Sequence, residues 1–229
     1  MATVTQQEIQ ELSVTVLHGV SYKTYERLLR NPNNRHLRMA YHDGTLEIVS
    51  PILYAHEGAS RRFSLLVILV GKALRLRFTG TGSLTIRRGG DGPNEGVGKE
   101  PDQGFYFGSW DRFPLKRNLD IDAGDPPPDL WIEVDHRVSS SGRLPIYARL
   151  GVPEVWQYRV ARRTVQFLQL VEGTYVPIDR SLALPVLTPS LVVEAIGPGE
   201  EMAESEFFDF LQAWIPQMIA RAAEEPRPE

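Results

Sequence analysis

The sequence predicts an α/β (α+β) protein with a mixed β-sheet flanked by helices. The stretch "LRMAYHDGTLEIVSP", residues 37–51, contains two alternating runs around Asp43-Gly44, and Asp-Gly between such runs is a strong hairpin signal. The strand-like "DLWIEVD" (residues 129–135) is separated from "EVWQYRV" (residues 154–160) by a short helical pattern, which is typical of a crossover between parallel strands. A hairpin and a helical crossover in one chain favour a mixed sheet.

The N-terminal half is predicted to contain helices before and after this hairpin. "SYKTYERLLRN" (residues 21–31) has Ser21 as an N-cap, and a longer helix is expected over residues 55–76. The buried stripe predicted for the longer helix consists of Phe63, Leu66, Val67, Val70 and Leu74. "GSLTIRR" (82–88) and "QGFYFGS" (103–109) are predicted strands, and the glycine-rich "GGDGPNEGVGK" (89–99) between them predicts a flexible loop.

The C-terminal half continues the same alternation of elements. "GRLPIYARLG" (142–151) predicts a helix closed by Gly151, residues 164–192 predict further hairpin strands, and "EMAESEFFDFLQAWIPQMI" (201–219) predicts an amphipathic helix. We expect a single domain over residues 1–220, with a core at about 14–160 and C-terminal strands and a helix at 161–220. Residues 221–229 are expected to be a flexible tail.

Composition excludes several classes of protein. With 229 residues, 42% of them hydrophobic, and no cysteine, the chain has an ordinary globular make-up but no disulfide, thiolate metal site or cysteine nucleophile, which suits a reducing cytoplasm. The best apolar run, "SLLVILVGKAL", is interrupted by Lys72, so we expect no membrane segment. The net charge of −4 argues against coating nucleic acid by bulk electrostatics, although a locally basic surface remains compatible with it.

Carboxylates accompany two of the predicted strands. In "DLWIEVD" the side chains of Asp129, Glu133 and Asp135 project from one face, because strand residues alternate with a period of two. Asp102 stands at the start of the strand in "KEPDQGFYF". Converging carboxylates could hold Mg²⁺ or Mn²⁺, whereas acids at strand ends can also be solvated or cap a turn, and the spacing alone leaves both interpretations open.

An ordered set of motifs resembles a known family. "LRMAYHDGTLEIVSP", "HEG", "KEPDQGFYF", "PPDLWIEVD" and "SSSGRLPIYARLGVPEVWQY" resemble the Uma family of restriction-endonuclease-like proteins, a branch of the PD-(D/E)XK nuclease superfamily, over residues 14–158. The resemblance implies an αβββαβ core and a DNA endonuclease dependent on Mg²⁺ or Mn²⁺. It also implies Asp102 and Glu133 as catalytic metal ligands, with the Val134 carbonyl as a further ligand, and self-association as a homodimer.

The sequence departs from the superfamily pattern where that pattern has a lysine. Asp135 stands two residues after Glu133, and the resemblance instead assigns the basic role to Arg143, four residues before Tyr147. Arginine can stabilise a phosphorane but is a poor general base. Asp135 is interpreted either as an added metal ligand or as a salt-bridge partner of Arg137 or Arg143. The alternative function is therefore a weakened or inactive nuclease-fold module acting in nucleic-acid binding or regulation.

Two further sets of residues complete the prediction. In the superfamily an acid from the first core helix often completes the metal site, which implies Glu57, although the helix dipole alone would explain an acid there. Residues 59–90 contain seven basic residues and no acid, so a DNA-contacting surface is predicted. The predicted contacts in this stretch are Arg61, Arg62, Arg87 and Arg88.

Overall fold

The computed structural model confirms the predicted class, with the strands divided between two mixed sheets. It describes residues 14–34, 37–49, 54–108, 110–113, 118–135 and 140–224, except for the side chains of residues 14, 49, 54–57 and 224. In these ranges no helix combines the length and the apolar character needed to cross a membrane.

The described residues form five α-helices and twelve strands. The helices are α1 (Tyr22–Arg30), α2 (Tyr54–Ala73), α3 (Leu144–Leu150), α4 (Pro189–Gly199) and α5 (Glu204–Glu224). The strands are β1 (Val14–Leu17), β2 (Arg38–His42), β3 (Thr45–Val49), β4 (Thr79–Gly80), β5 (Thr85–Gly89), β6 (Gly96–Lys99), β7 (Gln103–Tyr106), β8 (Asn118–Asp120), β9 (Leu130–Asp135), β10 (Glu154–Arg159), β11 (Thr164–Val171) and β12 (Thr174–Ile178).

The two sheets have different strand orders. The first sheet is β1-β3-β2-β6-β5-β8 and the second is β12-β11-β10-β9-β7-β4. Pairing is antiparallel except between β5 and β8 and between β9 and β10. The second sheet and its helices have the αβββαβ order that the resemblance implies. Along the chain this order is formed by α2, β4, β7, β9, α3 and β10, and the first-sheet strands β5, β6 and β8 are inserted among them.

Strand β9 is buried on both faces, and this explains its unusual pattern of acids. Leu130, Ile132 and Val134 pack under α2, α4 and α5 on one face of the second sheet. Trp131, on the opposite face, packs with α3 and with strands of the first sheet. The carboxylate-bearing face of β9 therefore points into the space between the sheets and α3, not into solvent.

Several predicted elements are confirmed in detail. The Ser21 hydroxyl accepts the Thr24 amide at 3.2 Å and caps α1. The hairpin of β2 and β3 turns at Asp43 and Gly44, whose φ values of 42° and 87° are those of the primed turn that Asp-Gly favours. Helix α3 ends at Gly151 with φ 76°. Helix α5 continues to Glu224, so residues 225–229 of the predicted tail lie outside the described part of the chain.

The prediction of a flexible loop over residues 89–99 was wrong at its C-terminal end. Strand β6 occupies Gly96–Lys99 and is buried throughout, between β2 and β5. Its glycines accommodate tyrosine side chains: a Cβ on Gly98 would lie 2.1 Å from the Tyr25 hydroxyl, and one on Gly96 would lie 2.4 Å from the Tyr22 ring. Here glycine marks close packing of rings on a strand rather than mobility.

The prediction of hairpin strands over residues 164–192 was correct only as far as β12. Pro189 begins helix α4 instead, with Thr188 as its N-cap accepting the Leu191 amide at 3.3 Å. Proline at the first helical position is compatible with a helix start because its missing N–H would have no partner there. The valines of "SLVVEAIG" resemble a strand by composition, but Val192, Ala195 and Ile196 are buried in the helical core.

Candidate active site

The candidate site lies where the chain passes from the first sheet to the second. Residues 100–102 connect β6 to β7, and β7 pairs with β9. This short connection brings the end of β6 and the start of β7 next to the centre of β9. Side chains from β6, from this connection and from β9 therefore meet in one buried region.

Glu133 lies at the centre of this region and is 4% exposed. Its two carboxylate oxygens accept hydrogen bonds from the Lys99 ammonium at 2.7 and 2.9 Å. The Trp131 indole N–H donates to the same carboxylate at 2.5 Å. These two donors, the ammonium and the indole, fix the orientation of this acid inside the protein.

Asp102 is 7% exposed and is bound to the same strand as Glu133. One carboxylate oxygen accepts the Val134 amide at 2.7 Å, and the other accepts the Arg38 guanidinium at 2.7 Å. The Asp102 amide in turn donates to the Ile132 carbonyl at 3.2 Å. Because Ile132 and Val134 flank Glu133, these bonds place Asp102 beside it.

Lys99 and Arg38 give the site a positive charge for each buried carboxylate. Burial lowers the pKa of the Lys99 ammonium, and the nearby Glu133 and Asp102 carboxylates oppose that shift. The Lys99 nitrogen lies 5.8 Å from the centre of the Trp131 ring and 5.7 Å from that of the Tyr147 ring. Aromatic faces at these distances attract a cation, so Lys99 is held by both the rings and the acid.

Arg143 and Asp135 are both near the site but have other direct partners. Arg143 donates to the Glu47 carboxylate of β3 at 3.0 and 2.8 Å. Asp135 accepts the amide and hydroxyl of Ser140 at 2.9 and 3.0 Å, and burial raises the pKa of Asp135. Among the described residues, the Arg143 salt bridge is thus to Glu47 rather than to Asp135, while Arg137 lies outside them.

Tyr147 adds an unpartnered polar group. Its hydroxyl is buried and has no hydrogen-bond partner in the described part of the protein. Burial raises the pKa of Tyr147, and the charges of the Glu133 and Asp102 carboxylates act in the same direction. A buried hydroxyl without a partner is costly and indicates a position where a water or ligand atom would bond.

Two other predicted metal ligands are placed only by the backbone. Glu57 is in the first turn of α2, and its side chain lies outside the described residues. Ser60, one turn later, donates its hydroxyl to the Asp102 carbonyl at 3.3 Å, so this end of α2 adjoins the site. The Val134 amide binds Asp102, and ligation by the Val134 carbonyl stays a prediction.

The predicted basic stretch does not form an acid-free surface. Arg61 and Arg62 are on α2, against the second sheet, whereas Arg87 and Arg88 are on β5 of the first sheet. Acids from elsewhere in the sequence approach three of them. Arg61 pairs with Glu204, Arg87 with Glu26 and Asp120, and Arg88 with Asp122.

The donor set fits a hard divalent cation held by few protein ligands. No group of three or more His, Asp or Glu side chains suitable for a metal occurs among the described residues, so no third such side chain joins Asp102 and Glu133 there. Mg²⁺ commonly binds through one or two carboxylates and keeps several waters. Each carboxylate has about four acceptor positions, more than the donors named above for either acid. The residues thus fit such an ion, in competition with Lys99 and Arg38.

Comparison with known proteins identifies the family. The family model described as "Uma2: Putative restriction endonuclease" matches residues 22–197, more than half of the chain. The chain belongs to this Uma2 family. The resemblance seen in the sequence is thereby confirmed, and the match extends beyond residue 158 through β11 and β12 into α4.

A solved structure supports the fold of this Uma2 protein. It is described as "Crystal structure of a putative nuclease belonging to DUF820 from Anabaena variabilis ATCC 29413", with 16% sequence identity and a TM-score of 0.51. The similarity covers 84% of this chain and 99% of that chain. At this identity the likeness establishes the fold alone. A comparison with curated proteins found no match to the sequence.

Sequence reasoning missed the direct contacts of Lys99 and Arg38. Lys99 is the last residue of the glycine-rich segment that was predicted to be a loop, and it lies only three residues before Asp102. Arg38 begins a strand whose next three residues are buried, so a charge there needed a partner. That partner, Asp102, is 64 residues away in sequence, and only the folded topology brings the two together.

Proposed function

We propose that this Uma2 protein is a metal-dependent DNA endonuclease of the restriction-endonuclease type, using Mg²⁺ or Mn²⁺. The observation that carries the proposal is the pair of buried carboxylates of Asp102 and Glu133. Asp102, just before β7, accepts a hydrogen bond from the amide of Val134, the residue that follows Glu133 in β9. A fold gains little stability from burying two acids. Family membership supports a role in nucleic-acid cleavage.

The reaction is hydrolysis of a phosphodiester. The water oxygen bonds to phosphorus, the bond to the leaving oxygen breaks, and the two water protons end on the leaving hydroxyl and in solvent. A bound divalent cation supplies Lewis-acid activation and charge neutralisation for such a step. Asp102 and Glu133 would hold it, while Trp131 and Val134 orient their oxygens through hydrogen bonds.

Cationic side chains stabilise the additional negative charge that develops on the phosphate. Arg143, at the start of α3, has its charge near Glu133 and Lys99, and in this proposal it adds positive potential at the site while Glu47 holds its guanidinium in place. Preorganised cations in a water-poor site act more strongly than they would in solvent. Glu57 and the Val134 carbonyl complete the proposed ligands, and Asp135 positions α3 through Ser140.

DNA would reach this site across the arginines of α2 and β5. Phosphate contacts of this kind give affinity without sequence preference and weaken as salt rises. Arg61, Arg62 and Arg88 are the proposed contacts, whereas Arg87, with a side chain only 17% exposed and bound by two acids, contributes mainly by holding β5. Exposed ion pairs such as Arg61–Glu204 are weak enough to exchange for phosphate.

The test is nicking of supercoiled plasmid by purified protein with Mg²⁺ or Mn²⁺. Wild-type protein should convert plasmid to open circles, and Asp102→Asn and Glu133→Gln should each lose at least about a hundredfold in rate. Asp209→Asn, which changes an exposed acid on α5, is the matched control and should cleave like wild type. Equal nicking by wild type and both site variants would identify a contaminating nuclease and refute the proposal.

A second candidate function has an observation of its own. Each buried carboxylate already has a cationic partner, Lys99 for Glu133 and Arg38 for Asp102, so the four groups are electrically neutral without a metal. A non-catalytic module that binds nucleic acid or regulates another protein would have this arrangement if the ion pairs had replaced the metal. Such a protein would bind DNA in a salt-dependent manner with neither cleavage nor stabilisation by Mn²⁺.

A further inference from the structure

Lys99 has the position and contacts that a phosphate-stabilising lysine would need. Its ammonium bonds both oxygens of Glu133 at 2.7 and 2.9 Å, and its third contact is the Glu100 carbonyl at 2.9 Å. The residue is 7% exposed at the end of β6. Strand β6 belongs to the first sheet, yet this side chain reaches an acid of the second.

The position at which the superfamily pattern has its lysine is used differently in this chain. Asp135 occupies it and holds Ser140, whose hydroxyl also accepts the Gln157 amide at 2.6 Å. That network links the end of β9 to the turn before α3, and strand β9 itself, Leu130–Asp135, contains no basic residue. The cation in direct contact with Glu133 comes from β6.

Arg143 is less well placed for this role than Lys99. Both of its donors with described partners go to Glu47, on the β2–β3 hairpin. Its influence on Glu133 is through charge, without a described hydrogen bond. Of the two cations, Lys99 is the one in hydrogen-bond contact with the proposed metal ligand.

We propose that Lys99 is the residue that stabilises the charge developing on the phosphate, replacing from β6 the lysine that the pattern places two residues after Glu133. This inference rests on the proposed nuclease function. In the cation-free protein Lys99 is the counter-ion of Glu133. With a metal bound at Glu133, the charge of Lys99 would no longer be needed there, and the ammonium, 5.8 and 5.7 Å from the centres of the Trp131 and Tyr147 rings, would be available to a phosphate oxygen.

The experiment compares three proteins: wild type, Lys99→Gln and Lys99→Arg. Lys99→Gln removes the charge but keeps an N–H donor for Glu133, and Lys99→Arg keeps the charge but changes its shape. Lys23→Met, which changes an exposed lysine of α1, is the matched control. Two quantities are measured for each: the single-turnover nicking rate with Mn²⁺, and the rise in melting temperature at a fixed Mn²⁺ concentration.

Lys99→Gln should lose at least about a hundredfold in nicking rate, while its Mn²⁺-induced rise in melting temperature equals or exceeds that of wild type, because no ammonium competes for Glu133. Lys99→Arg should melt like wild type and lose about tenfold or more in rate. A merely structural lysine predicts the opposite pattern, in which Lys99→Arg restores the full rate and Lys99→Gln loses the Mn²⁺ response.

Nicking by Lys99→Gln within about threefold of wild type overturns the role given to Lys99 and leaves the nuclease proposal standing. If Lys99→Gln fails to fold, a wild-type rate for Lys99→Arg overturns that role in the same way. If wild-type protein does not nick at all, the nuclease proposal fails, and the catalytic role of Lys99 fails with it.

Discussion

Removing one partner of the Lys99–Glu133 pair should destabilise the protein far more than removing both. The side chains are 9% and 5% exposed, so solvent screens their charges little. Leaving one buried charge without its partner costs about 3–5 kcal/mol, whereas replacing a whole buried pair by apolar residues is often neutral or stabilising. Lys99→Met and Glu133→Leu should each lose about 3–5 kcal/mol, and the double variant should lie within about 1 kcal/mol of wild type.

Urea unfolding followed by circular dichroism, with EDTA present, measures the four free energies of unfolding in this cycle. The control cycle uses Arg61→Met and Glu204→Leu, whose side chains are 63% and 57% exposed, and its coupling should be below about 1 kcal/mol. Additive losses in the buried cycle, or single-variant losses as small as those of the surface pair, would show that Lys99 and Glu133 do not form the buried pair described here.

Three smaller predictions concern packing, an unpartnered hydroxyl and pH. Gly98→Ala should lose about 1–3 kcal/mol in urea unfolding, because its Cβ would meet the Tyr25 hydroxyl at 2.1 Å, and a loss no larger than that of Gly142→Ala, where a Cβ meets nothing within 4 Å, would contradict this. Tyr147→Phe should be as stable as wild type or up to about 1–3 kcal/mol more stable, since it removes a buried hydroxyl that has no partner in the described region, and a loss of about 2 kcal/mol or more would reveal a partner. Burial raises the pKa of Glu154 above its usual 4.5 despite hydrogen bonds from Trp156 and Ala183. Glu154 therefore contributes to the free energy of unfolding below pH 4.5, and this contribution is lost as pH rises through the folded-state pKa. The stability of wild type relative to Glu154→Gln should fall with pH over that window, and a difference that rises with pH would refute this.

Much of the fold was predictable because its signals are local. The Asp43-Gly44 turn, the Ser21 cap and the Gly151 helix end each depend on a few adjacent residues whose backbone preferences are strong. Strand β6 was missed because its glycines are selected by tyrosines 74 and 73 positions earlier in the sequence, Tyr22 for Gly96 and Tyr25 for Gly98. A single sequence gives no sign of such a long-range fit.

For the candidate site, too, the local features were predictable and the long-range contacts were not. Asp102 and Glu133 were recognisable from motif and strand alternation, and the alternation of β9 is confirmed by the opposite packing of Ile132 and Trp131. The cations that pair with these acids come from β2 and β6, and their contacts depend on how the two sheets join. The motifs predict the acids of the candidate site, whereas the cations paired with these acids depend on how the two sheets join.

Asp102 and Glu133 are proposed to hold a divalent cation together. Anomalous diffraction from crystals soaked in Mn²⁺, collected near the manganese edge, tests it most directly. A manganese peak bonded to oxygens of both carboxylates at about 2.0–2.6 Å, the range for hard cations on oxygen ligands, with the Lys99 ammonium moved off at least one Glu133 oxygen, is the predicted result. No peak at these residues, with Lys99 still on Glu133 and Arg38 still on Asp102, would contradict the claim and favour the non-catalytic module.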